Sequence, residues 1–139
     1  MSRFVLDASV VLTWCFPDEN SLIAEHVANL FREEYTAIVP SLWPHEVLNA
    51  LLVAEKRKRI SRELLRSFLD DLAKLPIVLE PSPAGVVFDS IQQLSRQHDL
   101  TAYDAAYLNL ALEGGLSLAT LDDALMRACK KARVGLVKA

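Results

Sequence analysis

Four acidic residues, far apart in the chain, stand where an acid is unfavourable unless it has work to do. Asp7 directly follows the apolar run Phe4-Val5-Leu6, and Asp122 follows Leu116-Ser117-Leu118-Ala119 by way of Thr120-Leu121. Glu46 lies within Leu42-Trp43-Pro44-His45-Glu46-Val47-Leu48, and Asp104 within Leu100-Thr101-Ala102-Tyr103-Asp104-Ala105-Ala106. In open parallel sheets ligands bind outside the carboxyl ends of the strands, so acids placed just beyond apolar strands point to a site at that edge. Asp7 and Asp122 fit this directly, and Glu46 and Asp104, each in a first helical turn, project toward the same edge.

Four carboxylates converging without Lys or Arg partners repel one another, and burial raises their pKa values. Divalent cations resolve that conflict. An all-oxygen donor set, with no cluster of His and Cys, suits Mg2+ or Mn2+ better than zinc. Such ions orient a phosphodiester, lower the pKa of an attacking water and stabilise charge on the leaving oxygen, so the implied reaction is phosphodiester hydrolysis. Each acid also has a plainer role open to it. Thr101-x-x-Asp104 and Thr120-x-x-Asp123 are capping-box patterns with Asp in place of Glu, and Glu46 taken alone reads as a solvated helix residue. Asp7 is the hardest to explain away, because an acid that ends an apolar strand costs stability unless it is paired.

Several neighbours belong to the same set. Ser9, two residues beyond Asp7, is read either as a helix cap or as a hydroxyl that binds phosphate or holds a water. Thr120 carries the same two readings. Asn49, one turn after Glu46, either orients that carboxylate or is an exposed amide. Lys56-Arg57-Lys58-Arg59 with Arg62 and Arg66 is the one basic concentration, read as a solvated helix end or as an attraction for an RNA backbone. Tyr103 and Tyr107 flank Asp104 at helical spacing, with core packing as their default role and base stacking as the alternative.

The elements that must position these residues alternate in type. Strands are expected at residues 4–6, 37–39, 77–79 and 116–119, with a possible fifth at 134–137 on the edge. Helices are expected after Ala8, over 21–34, over 41–59 with Pro44 in the first turn, from a Ser61 cap to Pro76, from Val86 to about His98, over 101–113 with Gly114-Gly115 ending it, and over 121–132. Short apolar strands alternating with amphipathic helices predict an α/β class, a three-layer α/β/α sandwich on a mostly parallel sheet of four or five strands.

The 139 residues are expected to form one domain, residues 1–139, and 52% hydrophobic with 24% charged residues excludes a disordered chain. A net charge of −3 argues against a protein that grips nucleic acid through a basic surface, but an acidic site that recruits cations can still present positive charge to phosphate. Cys15 and Cys129 show no metal-ligand spacing and read as buried free thiols in a reducing compartment. No signal peptide and no apolar run near the roughly 18 residues of a membrane span is found, which predicts a cytoplasmic protein with no membrane association.

Three stretches, FVLDASVVLTWCFPDE, VPSLWPHEVLNALL and LTAYDAAYLNLALEGGLSLATLDDAL, together span nearly the whole chain, and in this order and spacing the sequence resembles a PIN domain. It is most similar in these motifs to the VapC-type toxins of prokaryotic toxin–antitoxin pairs. The resemblance implies a central parallel sheet flanked by helices, with Asp7, Glu46, Asp104 and Asp122 as metal-binding and catalytic acids. The family's T-x-D element maps onto Thr120 and Asp122, which leaves Asp123 as the capping residue, and Ser9 matches the small hydroxyl after the first acid. It further implies RNA cleavage with Mg2+ or Mn2+, a homodimer, and an antitoxin partner whose tail enters the acidic groove.

Two other functions compete with this one. A non-catalytic PIN-like module that binds RNA or antitoxin without cutting is disfavoured by the retention of all four acids. A phosphohydrolase using Asp7 as nucleophile, as in haloacid-dehalogenase-like enzymes, is disfavoured because Ser9 stands where those enzymes place a second Asp.

Overall fold

A computed structural model describes residues 2–16, 18–19 and 21–138. Its centre is a sheet of four strands, β1 (Arg3–Leu6), β2 (Thr36–Val39), β3 (Ile77–Leu79) and β4 (Leu118–Ala119), in the order β3-β2-β1-β4. Every pairing is parallel, with Phe4 opposite Ala37, Ile38 opposite Val78 and Leu6 opposite Ala119. Phe4, Val5, Leu6, Ala37, Ile38, Val39, Leu118 and Ala119 are buried, as strands covered on both faces require. Only the edge strand β3 leaves apolar side chains, Val78 and Leu79, open to solvent, and it is short.

Helices α1 (Ala8–Leu12), α2 (Leu22–Arg32), α3 (Trp43–Lys56) and α4 (Arg62–Leu72) connect β1 to β2 and β2 to β3. Helices α5 (Ala84–Val86), α6 (Gln92–His98) and α7 (Ala102–Gly114) carry the chain back to β4, and α8 (Asp123–Ala132) follows it. The first two connections step across the sheet in one direction and the third returns in the other. Right-handed crossovers therefore set α1–α4 on one face and α7 on the opposite face, which gives the three expected layers. The order reverses at β1, so the chain leaves the paired strands β1 and β4 toward opposite faces of the sheet, and a crevice lies beyond their carboxyl ends.

Local signals account for most helix boundaries. Ser21, Ser61 and Thr101 cap α2, α4 and α7 through bonds from the amides of Ala24, Leu64 and Asp104. Pro44 sits in the first turn of α3. Gly115, at φ +62°, supplies the left-handed residue that ends α7. Helix α7 is unusual in burying every residue from Ala105 to Ala111, because it lies between the sheet and the helices around it.

The structure departs from sequence expectation in several places, among them α4, which ends at Leu72 and not at Pro76, and β4, which keeps only Leu118–Ala119 of the strand expected over 116–119. The helix expected from Val86 begins at Ala84 and passes through a π-helical stretch, Val87–Ile91, before α6. The candidate fifth strand is reduced to one parallel bridge, Leu118 to Leu136, since the segment meets only the two-residue strand β4. The helix expected over 41–59 is shorter at both ends: Ser41-Leu42 form a turn, and Lys58 at φ +61° closes the far end. Cys15 and Cys129 are buried free thiols, and among the described residues no helix is long and apolar enough to cross a membrane.

Leu118 is wholly buried on β4, the strand that delivers Thr120 and Asp122. Replacing it with Ala should remove about 2–5 kcal/mol of stability, read from urea unfolding. A loss well below about 1 kcal/mol would mean that β4 is not packed as described.

Candidate active site at the reversal of strand order

Asp7 leaves β1 at the crevice, buried, as the residue preceding α1. It makes no side-chain cap to that helix. Its Oδ2 instead accepts two hydroxyl hydrogen bonds, from Ser9 Oγ at 2.8 Å and from Thr120 Oγ1 at 2.7 Å. The Leu121 amide donates to Ser9 Oγ at 3.0 Å and the Asp122 amide to Thr120 Oγ1 at 3.0 Å, so the loops after β1 and β4 are stitched together through the first acid. Ser9 is thus neither a helix cap nor a free hydroxyl, and the capping box read from Thr120 and Asp123 does not form. Asp122 is the N-cap of α8: its Oδ2 accepts from the Leu125 amide at 2.8 Å, whereas Asp123 is exposed in the first turn. The capping role expected of Asp123 therefore belongs to Asp122.

Glu46 enters from the first turn of α3, the helix after β2, and is half-buried. Its Oε1 accepts a hydrogen bond from the hydroxyl of Tyr107, 61 residues away on α7. Tyr107 has no exposed surface, which rules out base stacking for it, while Tyr103 is 65% exposed and does not pack in the core. Asn49 is exposed and makes no hydrogen bond to Glu46, so the partner expected one turn along α3 is supplied instead by α7. A phenol inside a helix buried on all sides must find a hydrogen-bond partner, and that was the one sequence signal that could have singled out Tyr107.

Asp104 lies in the first turn of α7. Its amide satisfies the Thr101 cap, but its carboxylate accepts no hydrogen bond among the described residues, so only half of that capping box exists.

The four carboxylates act on one another. Burial, then the charge of Asp122, pushes the Asp7 carboxyl up, against the pull of its two hydroxyl partners. Burial also raises Glu46, with Asp7 and Asp104 adding to the effect and the Tyr107 bond opposing it. Asp104 is pushed up to about 6 by burial, then by Asp122 and Asp7. Tyr107 is driven well above the ordinary tyrosine range by burial and by its bond to Glu46, so its hydroxyl remains a donor. None of the four acids has a cationic partner: the ion pairs among the described residues join Arg59 to Asp18 and Glu19, and Lys74 to Asp71.

Among the described residues, no three His, Cys, Asp or Glu side chains stand close enough together to hold a metal ion without moving. The acids face one crevice and feel each other's charge but do not close on one point, as expected of like charges with nothing between them. The donor set, all carboxylate oxygen with no cation competing for it, suits a hard divalent ion.

The basic run is not part of this crevice. Arg59 pairs with Asp18 and Glu19 at 3.6 Å each and lies 4.3 Å over the Phe16 ring, holding the chain after α1. Lys56 ends α3 ten residues beyond Glu46, about 15 Å along the helix. A cavity of about 480 Å³ beside α2 and α4, lined by Trp14, Phe31, Phe68 and Leu72, contains none of the four candidate acids. The carboxylate chemistry, not cavity size, locates the site.

A parallel α/β sandwich with uncompensated acids at its topological switch point is the architecture to which this chain conforms, and the chain belongs to the PIN domain family, which matches residues 4–131. It is 30% identical over 120 residues to Ribonuclease VapC3 of Pyrobaculum aerophilum, covering 86% of this chain and 89% of that one. Among solved structures, PAE2754 from Pyrobaculum aerophilum is similar at a TM-score of 0.70 and 20% identity, over 91% of this chain and 84% of that one. FitAcB from Neisseria gonorrhoeae is similar at a TM-score of 0.63 and 16% identity, over 97% and 96% of the two chains. VapBC2 from Rickettsia felis, bound to a DNA fragment from its promoter, is similar at 0.65 and 14% identity, over 96% of each. These three likenesses are of fold.

The raised acids give stability a definite pH dependence. The ordinary Asp value is 3.8 and folded Asp104 sits at about 6, so between these the folded chain holds a proton that the unfolded chain has released. That contribution is fully present below the lower value and is lost as pH rises through the upper one; Glu46 and Asp7, also raised, act in the same sense. Without divalent ions, the unfolding midpoint attributable to these groups should fall as pH rises from about 4 to about 7, with a shallower fall in Asp104→Asn. An identical pH profile in that variant would show that Asp104 is not charged against its surroundings.

Proposed function

We propose that this chain is an endoribonuclease that hydrolyses RNA phosphodiester bonds with Mg2+ or Mn2+, and that it is the toxin of a type II toxin–antitoxin pair. The observation that carries the reading is the set of four carboxylates from four separate elements, facing one crevice with no Lys or Arg to neutralise them, three of which, Asp7, Glu46 and Asp104, are raised in pKa by burial and by one another's charge. The ribonuclease name of a relative 30% identical over most of both chains supports the substrate class. The toxin–antitoxin complex named for one structural neighbour supports an antitoxin protein as partner, with a homodimer and a cytoplasmic location as the accompanying expectation.

In this reading Asp7, Glu46, Asp104 and Asp122 hold the cation. The chemistry supplied by such an ion, when bound, is orientation of the phosphodiester, a lowered pKa for the attacking water and relief of charge on the leaving oxygen. The chain's own residues prepare for this. Ser9 and Thr120 hold Asp7 by Oδ2 and leave Oδ1 without a side-chain partner. The Leu125 amide holds Asp122 by one oxygen in the same way. Water adds its oxygen to phosphorus and gives up a proton, the bond from phosphorus to the leaving oxygen breaks, and that oxygen takes up a proton, so that one water is consumed and no net proton is lost by the protein.

A second reading, a PIN-like module that binds RNA or antitoxin without cutting, is favoured by one finding, that the acids do not close on a single point.

The two readings separate in a cleavage assay on RNA with and without Mn2+. Asp7→Asn, Asp104→Asn and Asp122→Asn should each reduce metal-dependent cleavage by about 100-fold or more, while Asp123→Asn, on an exposed side chain, should retain it. Full activity in folded Asp7→Asn and Asp104→Asn proteins would end the site assignment, and no cleavage by the unmodified chain would favour the binding module.

A further inference from the structure

In three of the four acids one carboxylate oxygen accepts the side-chain or helix-end hydrogen bond that orients it. Asp7 is held through Oδ2 by Ser9 and Thr120, Asp122 through Oδ2 by the Leu125 amide, and Glu46 through Oε1 by Tyr107. The first two restraints are local to the loops that carry the acids. The third is not, because Tyr107 joins α7, on one face of the sheet, to the start of α3, on the other. Glu46 is also the acid with the longest side chain and so the most rotamer freedom to lose. Nothing on α3 itself orients it, since Asn49 is turned to solvent.

We infer that Tyr107 is a positioning residue: its buried hydroxyl fixes the Glu46 carboxylate by one oxygen, so that the other is presented to a divalent ion shared with Asp7, Asp104 and Asp122. This rests on the metal-dependent reading of the site. The packing around Tyr107 supports a dedicated orienting role. The ring has no exposed surface, it lies among the buried residues Ala105 to Ala111, and it stands one helical turn beyond Asp104, so one rigid helix carries an acid of the site and the clamp on another. The bond also links the two layers of helices at the crevice mouth, where the sheet itself no longer holds them together. A hydrogen bond from outside the ligand set sets ligand orientation, and losing one commonly costs about 10–100-fold in metal affinity.

The experiment is a double-mutant cycle read by Mn2+ binding, by calorimetry or electron paramagnetic resonance, on the intact chain and on Tyr107→Phe, Glu46→Gln and the double variant. Tyr107→Phe removes one oxygen and keeps the ring. It should weaken Mn2+ binding about tenfold in the intact chain and less than about twofold when Glu46 is already Gln. Unchanged affinity in Tyr107→Phe, or an equal loss in both backgrounds, would overturn the inference, because a merely structural tyrosine acts regardless of what residue 46 is. No Mn2+ binding by the unmodified chain would overturn the proposed function itself and this inference with it. A measurement that needs no variant covers the case in which Tyr107→Phe fails to fold. The chain has three tyrosines, so ring resonances of carbon-labelled tyrosine can be assigned, and the Tyr107 signal should shift with Mg2+ at the midpoint of binding. A Tyr107 signal that stays fixed while Mg2+ binds would count against the role.

Discussion

Negative charge gathered without a counter-charge is the constraint around which this molecule is arranged. Burial raises the cost of each carboxylate, and every neighbour of the same sign raises it further, so the ionised forms of Asp7, Glu46 and Asp104 are disfavoured in the folded chain. A fold selected for stability alone would have placed an arginine there or left the strand ends apolar. The hydroxyls of Ser9, Thr120 and Tyr107 offset part of the cost by hydrogen bonding the carboxylates, but none brings a positive charge. The remainder is left for something that binds.

The sheet makes this arrangement possible. A parallel order that reverses at β1 opens a crevice where β1 and β4 end, and the same reversal puts α3 and α7 on opposite faces with both of their first turns at that crevice. Four separate elements can then each contribute one acid without any of them bending. The rigidity comes from strands that are almost wholly buried and from α7, whose central turns are enclosed by protein. Loops carry Asp7 and Asp122, but they are tied to each other through Asp7 Oδ2, which makes the loop side of the crevice nearly as well defined as the helical side.

Two features that drew attention in the sequence turn out to serve the scaffold. Arg59 spends its charge on Asp18 and Glu19 and its face on Phe16, which fastens the chain between α1 and α2. The pattern Thr120-x-x-Asp123 resembles a capping box, yet the threonine turns toward Asp7 and the cap falls to Asp122. In the second case a local pattern competed with a tertiary partner, and the buried Asp7 prevailed because an unsatisfied buried carboxylate costs more than an imperfect cap.

Period and punctuation in the sequence by themselves determined the α/β class, the four strands and the Ser61 and Thr101 caps, because each depends on residues within one or two helical turns. Tertiary structure alone decided which oxygen of each acid is held and by what: the Ser9–Asp7–Thr120 link spans 113 residues between Asp7 and Thr120, and the Tyr107–Glu46 link spans 61. It also decided that the last apolar run would be a single bridge and that Asp122, not Asp123, would cap α8. Such choices depend on which groups burial brings within about 3 Å, and that distance is set by the packing of the whole sheet and not by any neighbour in sequence.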